Sequence, residues 1–251
     1  MTWLLITILM WLWSALAWPQ GLPFPGPGGR SRTGNNVALV GTNFGGAINL
    51  PATQSLAFTL PASVTANNTV ICGVAIYPGA QTFSSSQLTK TAGTATIGTV
   101  ALDQRDDAVG GGTGVALYSM RVSGSGTLTL TMTPSAGFTY NMVLGCAEFS
   151  GVATSPVIVN ANSTGTGTSH STGSVNTSAG VGVMMYVATE FAGATFTRTY
   201  SDVLIVKFDD ASNFTGIVQF KIVNSSPNTM TDTTGTDSSA WMISYAVYKS
   251  T

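Results

Sequence analysis

In GTLTLTMTP, residues 126–134, Leu128, Leu130 and Met132 alternate with Thr127, Thr129, Thr131 and Thr133. A two-residue period puts one set of side chains on each face of a strand, so the stretch predicts a half-buried antiparallel strand with a hydroxylated outer face. Four other runs are apolar on both faces: VICGVAIY (70–77), MVLGCAEF (142–149), VGVMMYVATEF (181–191) and WMISYAVY (241–248). Such runs suit central strands, covered on one side by a second sheet and on the other by loops. Further strand candidates begin at Val37, Ser55, Ala95, Gly114, Val203 and Gly216. Short Gly, Asn, Ser and Pro clusters separate them, and no helical period of useful length follows Trp18. The expected fold class is all-β, an antiparallel β-sandwich, jelly-roll-like, after an N-terminal hydrophobic segment.

That segment, MTWLLITILMWLWSALAW, is too short for a bilayer-spanning helix and resembles the apolar region of a signal peptide. Ala15-Leu16-Ala17 supplies the small-residue cleavage pattern and Pro19 stops a helix, although Met1-Thr2 carries no Lys or Arg. The expected organisation is a signal peptide over 1–17, a Pro/Gly-rich linker over 18–36 and a β-sandwich over 37–251. Residues 160–180, NANSTGTGTSHSTGSVNTSAG, have almost no apolar side chains and read as a long loop. They also offer a split between two halves, because LGCAEFSGVAT and YVATEFAGATF share a strand ending in Glu-Phe, Glu148-Phe149 and Glu190-Phe191.

Charge and histidine counts narrow the chemistry. Only 8% of residues are charged, the net charge is −1 and the nine Lys and Arg are scattered, so no nucleic-acid partner is expected. Contact with a membrane is expected only in transit, through the signal segment. His170 is the single histidine; it falls in the Ser/Thr/Gly stretch and reads as solvated, no G-x-S-x-G elbow occurs, and zinc would need more His or Cys ligands. No catalytic residue, metal or cofactor is therefore assigned. Glu148 and Glu190 form the one carboxylate pair open to glycosidase chemistry, with solvent-facing strand ends as the plainer reading. Asp103, Asp106 and Asp107, Asp209-Asp210, and Asp232 with Asp237 are the acidic clusters; turn capping accounts for them as well as calcium does. Trp241 alternates with Ile243, Tyr245 and Val247 and reads as core, whereas Tyr77, Phe83, Phe138, Tyr140 and Tyr200 lie near strand ends and offer a ligand patch. Cys72 and Cys146, the only cysteines, both fall in central-strand runs; export favours a disulfide between them, and two free core thiols fit the pattern equally well.

The succession GGGTGVALYSMRVSGSGTLTLTMTPS, LGCAEFSGVATSP and STGSVNTSAGVGVMMYVATE resembles a loosely defined group of β-sandwich modules. These occur in secreted bacterial proteins and in phage-encoded structural or tail-associated proteins. The resemblance spans roughly residues 64–190 and implies a non-enzymatic surface or particle component. The expectation is a secreted, extracellular or cell-surface protein with a structural or adhesive role, working through self-association or surface and glycan contact. The alternatives are a phage virion component, as head decoration or tail part, and a secreted glycan-binding or glycan-hydrolysing protein.

Overall fold

A computed structural model of the chain describes residues 37–77, 82–107, 112–134, 139–177, 181–190, 199–200, 202–210, 214–224, 227–233 and 240–251. The expected signal peptide over 1–17 and linker over 18–36 lie outside these residues, as do Phe138 and Asp237.

Two successive sets of strands follow the same plan. The first comprises β1 (Ala38–Thr53), β2 (Leu56–Thr59), β3 (Thr69–Tyr77), β4 (Leu88–Ala92), the two-residue β5 (Thr96–Ile97), β6 (Ala101–Asp106), β7 (Gly114–Gly124), β8 (Thr129–Met132) and β9 (Tyr140–Ser150). The second comprises β10 (Val152–Thr166), β11 (Ser169–Ser171), β12 (Gly182–Glu190), β13 (Thr199–Tyr200), β14 (Val203–Asp210), β15 (Phe214–Val223), β16 (Thr231–Thr233) and β17 (Ala240–Ser250). In the first half a large sheet runs β1-β9-β3-β7, with β5 and β6 both on β7, and a small sheet runs β2-β8-β4. In the second half the large sheet runs β10-β17-β12-β15-β14 and the small one β11-β16-β13. The ladders joining these strands are all antiparallel.

Among the described residues, and leaving β5 aside, each half has eight strands in which the first pairs with the last, the second with the seventh and the third with the sixth. That is the winding of a jelly roll, an antiparallel double strand rolled into two sheets. The remaining rung differs, because the fifth strand joins the sixth in the large sheet. The two halves meet at Gly151, between β9 and β10, where a φ of +73° favours glycine. The split expected near 160–180 instead falls inside the second half. The Glu-Phe likeness does not follow the repeat either, since β9 corresponds to β17 and β12 to β3.

Hydrophobic side chains sort into three layers. Val70, Cys72, Val74, Leu128, Leu130, Met132 and Leu144 fill the first half between its own two sheets. Met184, Tyr186, Ala188, Ile217, Ile243 and Val247 do the same in the second. The opposite faces of the large sheets, including Ile71, Ala75, Leu117, Val143, Val187, Val218 and Phe220, pack on each other. The order is small sheet, large sheet, large sheet, small sheet. Central strands expected to be covered by loops on one side are thus covered by sheets on both, which is why their sequences lack a polar face.

Close approach of the large sheets depends on a row of glycines. Gly46, Gly145 and Gly73 stand opposite one another across β1, β9 and β3. A Cβ at Gly145 would lie 2.6 Å from Val206 Cγ1, and one at Gly73 would lie 2.7 Å from Val218 Cγ1. Valines of the second half therefore seat directly against first-half backbone.

The stretch expected to be a loop over 160–180 carries β10 to Thr166 and then β11. Its polar residues are accommodated because β10 lies at a sheet edge and side-chain amides bind the neighbouring half: Asn160 Nδ2 donates to Asp103 O at 2.5 Å and Asn162 Nδ2 to Arg105 O at 2.7 Å. Hydrogen bonding to β17 and to β6 replaces the apolar contacts that a strand usually advertises.

Candidate functional site

The inward faces of the two large sheets can be read as cross-strand pairs. In the first half they run Val70–Glu148, Cys72–Cys146, Val74–Leu144 and Ile76–Met142. In the second they run Met184–Val247, Tyr186–Tyr245, Ala188–Ile243 and Glu190–Trp241. Each half therefore holds one carboxylate on the face of its own core, and each carboxylate is fully buried. This corrects the expectation that Glu148 and Glu190 face solvent at strand ends.

Glu148 is held by neutral donors. Its Oε2 accepts from Asn43 Nδ2 at 2.5 Å, and its Oε1 accepts from Thr65 N and Asn68 Nδ2, both at 2.7 Å. Asn43 Oδ1 in turn accepts from Ala62 N at 3.0 Å. The carboxylate thus ties β9 to β1 and to the segment entering β3, and its oxygens are occupied by the protein. A buried charge is tolerated when several such bonds replace water.

Glu190 has a different partner. His170 Nε2 lies 3.3 Å from Glu190 Oε2, with both side chains 0% exposed. The imidazole comes from β11 in the small sheet, and its ring lies 5.2 Å, centroid to centroid, from the indole of Trp241. Trp241 and Thr215 flank Glu190 on the strands to either side. Gly165 opposes Trp241 on β10; a Cβ there would come within 2.5 Å of the indole, so glycine makes the room. On the same face Gln219 Nε2 reaches Thr231 O at 3.4 Å. The second half's core is therefore polar at one end, where a His–Glu pair ties the small sheet to the large one. The expectation that His170 sits solvated in a loop is overturned: an imidazole flanked by serines was placed by its sequence neighbours, whereas its burial comes from Glu190 and Trp241, 20 and 71 residues later.

A third polar group lies at the seam between halves. Tyr248 OH donates to Asp103 Oδ2 at 2.9 Å, Ser244 Oγ donates to Asn162 Oδ1 at 2.7 Å, and Gln104 Nε2 donates to the same oxygen at 2.7 Å. Burial pushes the Asp103 carboxyl up to about 6, against the opposing pull of hydrogen bonds from Ser119 and Tyr248. Burial, with the facing carboxylate, holds the Tyr248 hydroxyl protonated well above the usual phenol range, which makes it the donor.

The residues singled out from the sequence do not form one site. Phe83 and Tyr140, 0% and 1% exposed, belong to the first half's core, and Tyr77 packs half-buried against the layer between halves. Of the other residues named for an aromatic ligand patch, Phe138 lies outside the described residues and Tyr200 stands on β13. Asp107 is engaged by Arg105 Nε at 3.1 Å and by Phe83 N at 2.9 Å, while Arg105 Nη1 also donates to Phe83 O. Among the described residues no three His, Cys, Asp or Glu side chains gather as metal ligands. Cys72 and Cys146 are joined by a disulfide across β3 and β9, with their Cα atoms 4.1 Å apart. Glu148 and Glu190 point away from each other, each into its own core with both large sheets between them. That arrangement gives neither a shared water nor a shared sugar ring. No family model, curated protein or solved structure matches this chain.

Proposed function

We propose that the protein is an exported, non-catalytic structural or adhesive component of a cell surface or particle. The observation that carries this reading is the use made of its reactive side chains. The single histidine and the two core glutamates are spent inside, on hydrogen bonds and a close His–Glu contact that hold sheets together. The outer face of the β2-β8-β4 sheet, by contrast, carries hydroxyls that bond one another, Thr59 to Thr129 at 2.8 Å and Thr91 to Thr131 at 2.7 Å. A low-charge surface of this kind suits contact over area rather than turnover at a point. The interior Cys72–Cys146 bond supports export, since such bonds persist in oxidising compartments.

A particle role draws support from the doubled jelly-roll winding. Jelly rolls build viral capsid domains and lectin domains alike, so this support is by analogy of fold. Protein taken from its native host tests the reading. The expected material begins at Trp18, has bridged cysteines and sediments as oligomers or with cells or particles. A monomer that retains Met1 and stays in the cytoplasm contradicts it.

A further inference from the structure

Arg121 has no carboxylate partner among the described residues. It stands on β7 opposite Thr69 of β3, on the face turned toward the second half. Its Nη1 donates to Val152 O at 2.7 Å and to Thr69 Oγ1 at 3.3 Å. A guanidinium carries five N–H donors in a planar fork, so these two bonds leave donors on Nη2 and Nε.

Arg121 borders a cavity of about 120 Å³ at the seam where the second half begins. Thr69, Thr99, Ala101 and Ser119 line it from the first half and Ala153 closes it from β10. Thr69 and Ser119 are 3% and 4% exposed, so their hydroxyls are fixed by packing, while Thr99 and Ala101 are exposed at its mouth. The lining thus combines one permanent cation with the hydroxyls of Thr69 and Thr99, the Ser119 hydroxyl being bound to Asp103. Asp103, on the strand that begins at Ala101, turns its oxygens to Tyr248 and Ser119. Clefts between packed units, mostly apolar with a few convergent polar groups, are where small ligands bind.

We infer that this cleft binds a small oxyanion, a carboxylate or a phosphate, through the Arg121 guanidinium and the hydroxyls of Thr69 and Thr99. Guanidinium matches the two-oxygen edge of such groups, and hydroxyl donors complete their coordination. The volume admits a group of a few non-hydrogen atoms, so the ligand is a free ion or the charged terminus of a larger molecule that remains outside.

The test is amide chemical-shift titration of the oxidised domain with acetate, inorganic phosphate and glucuronate, chloride replacing each anion to hold ionic strength constant. Saturable shifts confined to residues around Thr69, Thr99, Arg121 and Ala153 are expected with at least one of them. Response to acetate or phosphate identifies a free-ion site; response to glucuronate alone identifies a charged terminus on a sugar. Arg121→Gln is expected to weaken binding about tenfold or more, and Arg121→Lys to restore part of it. Should Arg121→Gln fail to fold, Thr99→Glu decides, because it places a carboxylate at an exposed position of the mouth and is expected to abolish binding. No saturable shift with any of the three anions, or equal binding by Thr99→Glu, overturns the inference. These outcomes leave the structural reading untouched, since that reading stands or falls on turnover and assembly.

Discussion

Tyr248 OH lies 2.9 Å from Asp103 Oδ2, a hydrogen bond between β17 of the second half and β6 of the first. The burial of Asp103 at this seam couples the packing of the halves to pH. Asp103 is raised from 3.8 to about 6 in the folded protein, chiefly by burial. The folded state therefore holds this proton more tightly than the unfolded chain does. Its stabilising contribution is complete below about pH 4 and is lost as pH rises through about 6. Urea unfolding of wild type and Asp103→Asn from pH 4.5 to 8 checks this. The wild type is expected to lose about 2 kcal/mol relative to the variant over that range. Parallel curves would show that the carboxyl titrates alike in both states.

The His170–Glu190 pair joins the small and large sheets of the second half. Removing one member leaves the other buried beside the wrong partner, at a cost of about 3–5 kcal/mol. His170→Leu and Glu190→Leu are each expected to lower the unfolding midpoint strongly, and the double variant to recover part of the loss. A double-mutant cycle by chemical denaturation measures the coupling. Additive losses with no coupling would mean that the pair does not act as a unit.

Gly145 sits in the middle of the glycine row, under Val206 and Val218. Gly145→Ala is expected to destabilise by about 1–3 kcal/mol, and Gly145→Val by more, because backbone and valines must move apart. Gly167, with open space around its Cβ position but a φ of +111°, separates the effects: Gly167→Ala costs backbone strain without crowding the halves. Hydrogen exchange should show Gly145→Ala loosening the facing strands β14 and β15, whereas Gly167→Ala should leave them protected.

The Cys72–Cys146 bond closes a separation of 74 residues. Constraint of the unfolded chain by such a loop is worth about 4 kcal/mol in the chain-entropy model. Cys72→Ala with Cys146→Ala is expected to lower stability by an amount of that order while keeping the fold. Peptide mapping without reductant should return one bridged pair, and recovery of two free thiols would contradict the assignment.

The physical signals of single strands were legible from the sequence. Leu128, Leu130 and Met132 are buried while Thr129 and Thr131 face outward, as their alternation requires. The runs that begin at Val70 and Val181 supply the central strands Thr69–Tyr77 and Gly182–Glu190, buried on both sides along almost their whole length. What covers their second face was hidden, because the cover is the other half and the halves share winding without an obvious shared sequence. β10 was hidden because Asn160 and Asn162 gain their place through amide bonds to β6, a relation between distant residues that no local period records. The surroundings of His170 and Glu148 were hidden for a related reason. His170 looks exposed among Ser, Thr and Gly, and Glu148 at the end of an apolar run, and only the folded chain brings Asn43, Asn68 and Glu190 to them.

The central claim is that the buried ionisable groups hold the structure together and perform no reaction. Turnover assays on a panel of glycans, esters and peptides, run on wild type, Glu148→Gln and Glu190→Gln, test it most directly. The account predicts background rates for all three proteins, with lower unfolding midpoints in the variants as the only difference. Hydrolysis by the wild type that disappears in Glu190→Gln, with its circular dichroism and β-sheet protection unchanged, would contradict it.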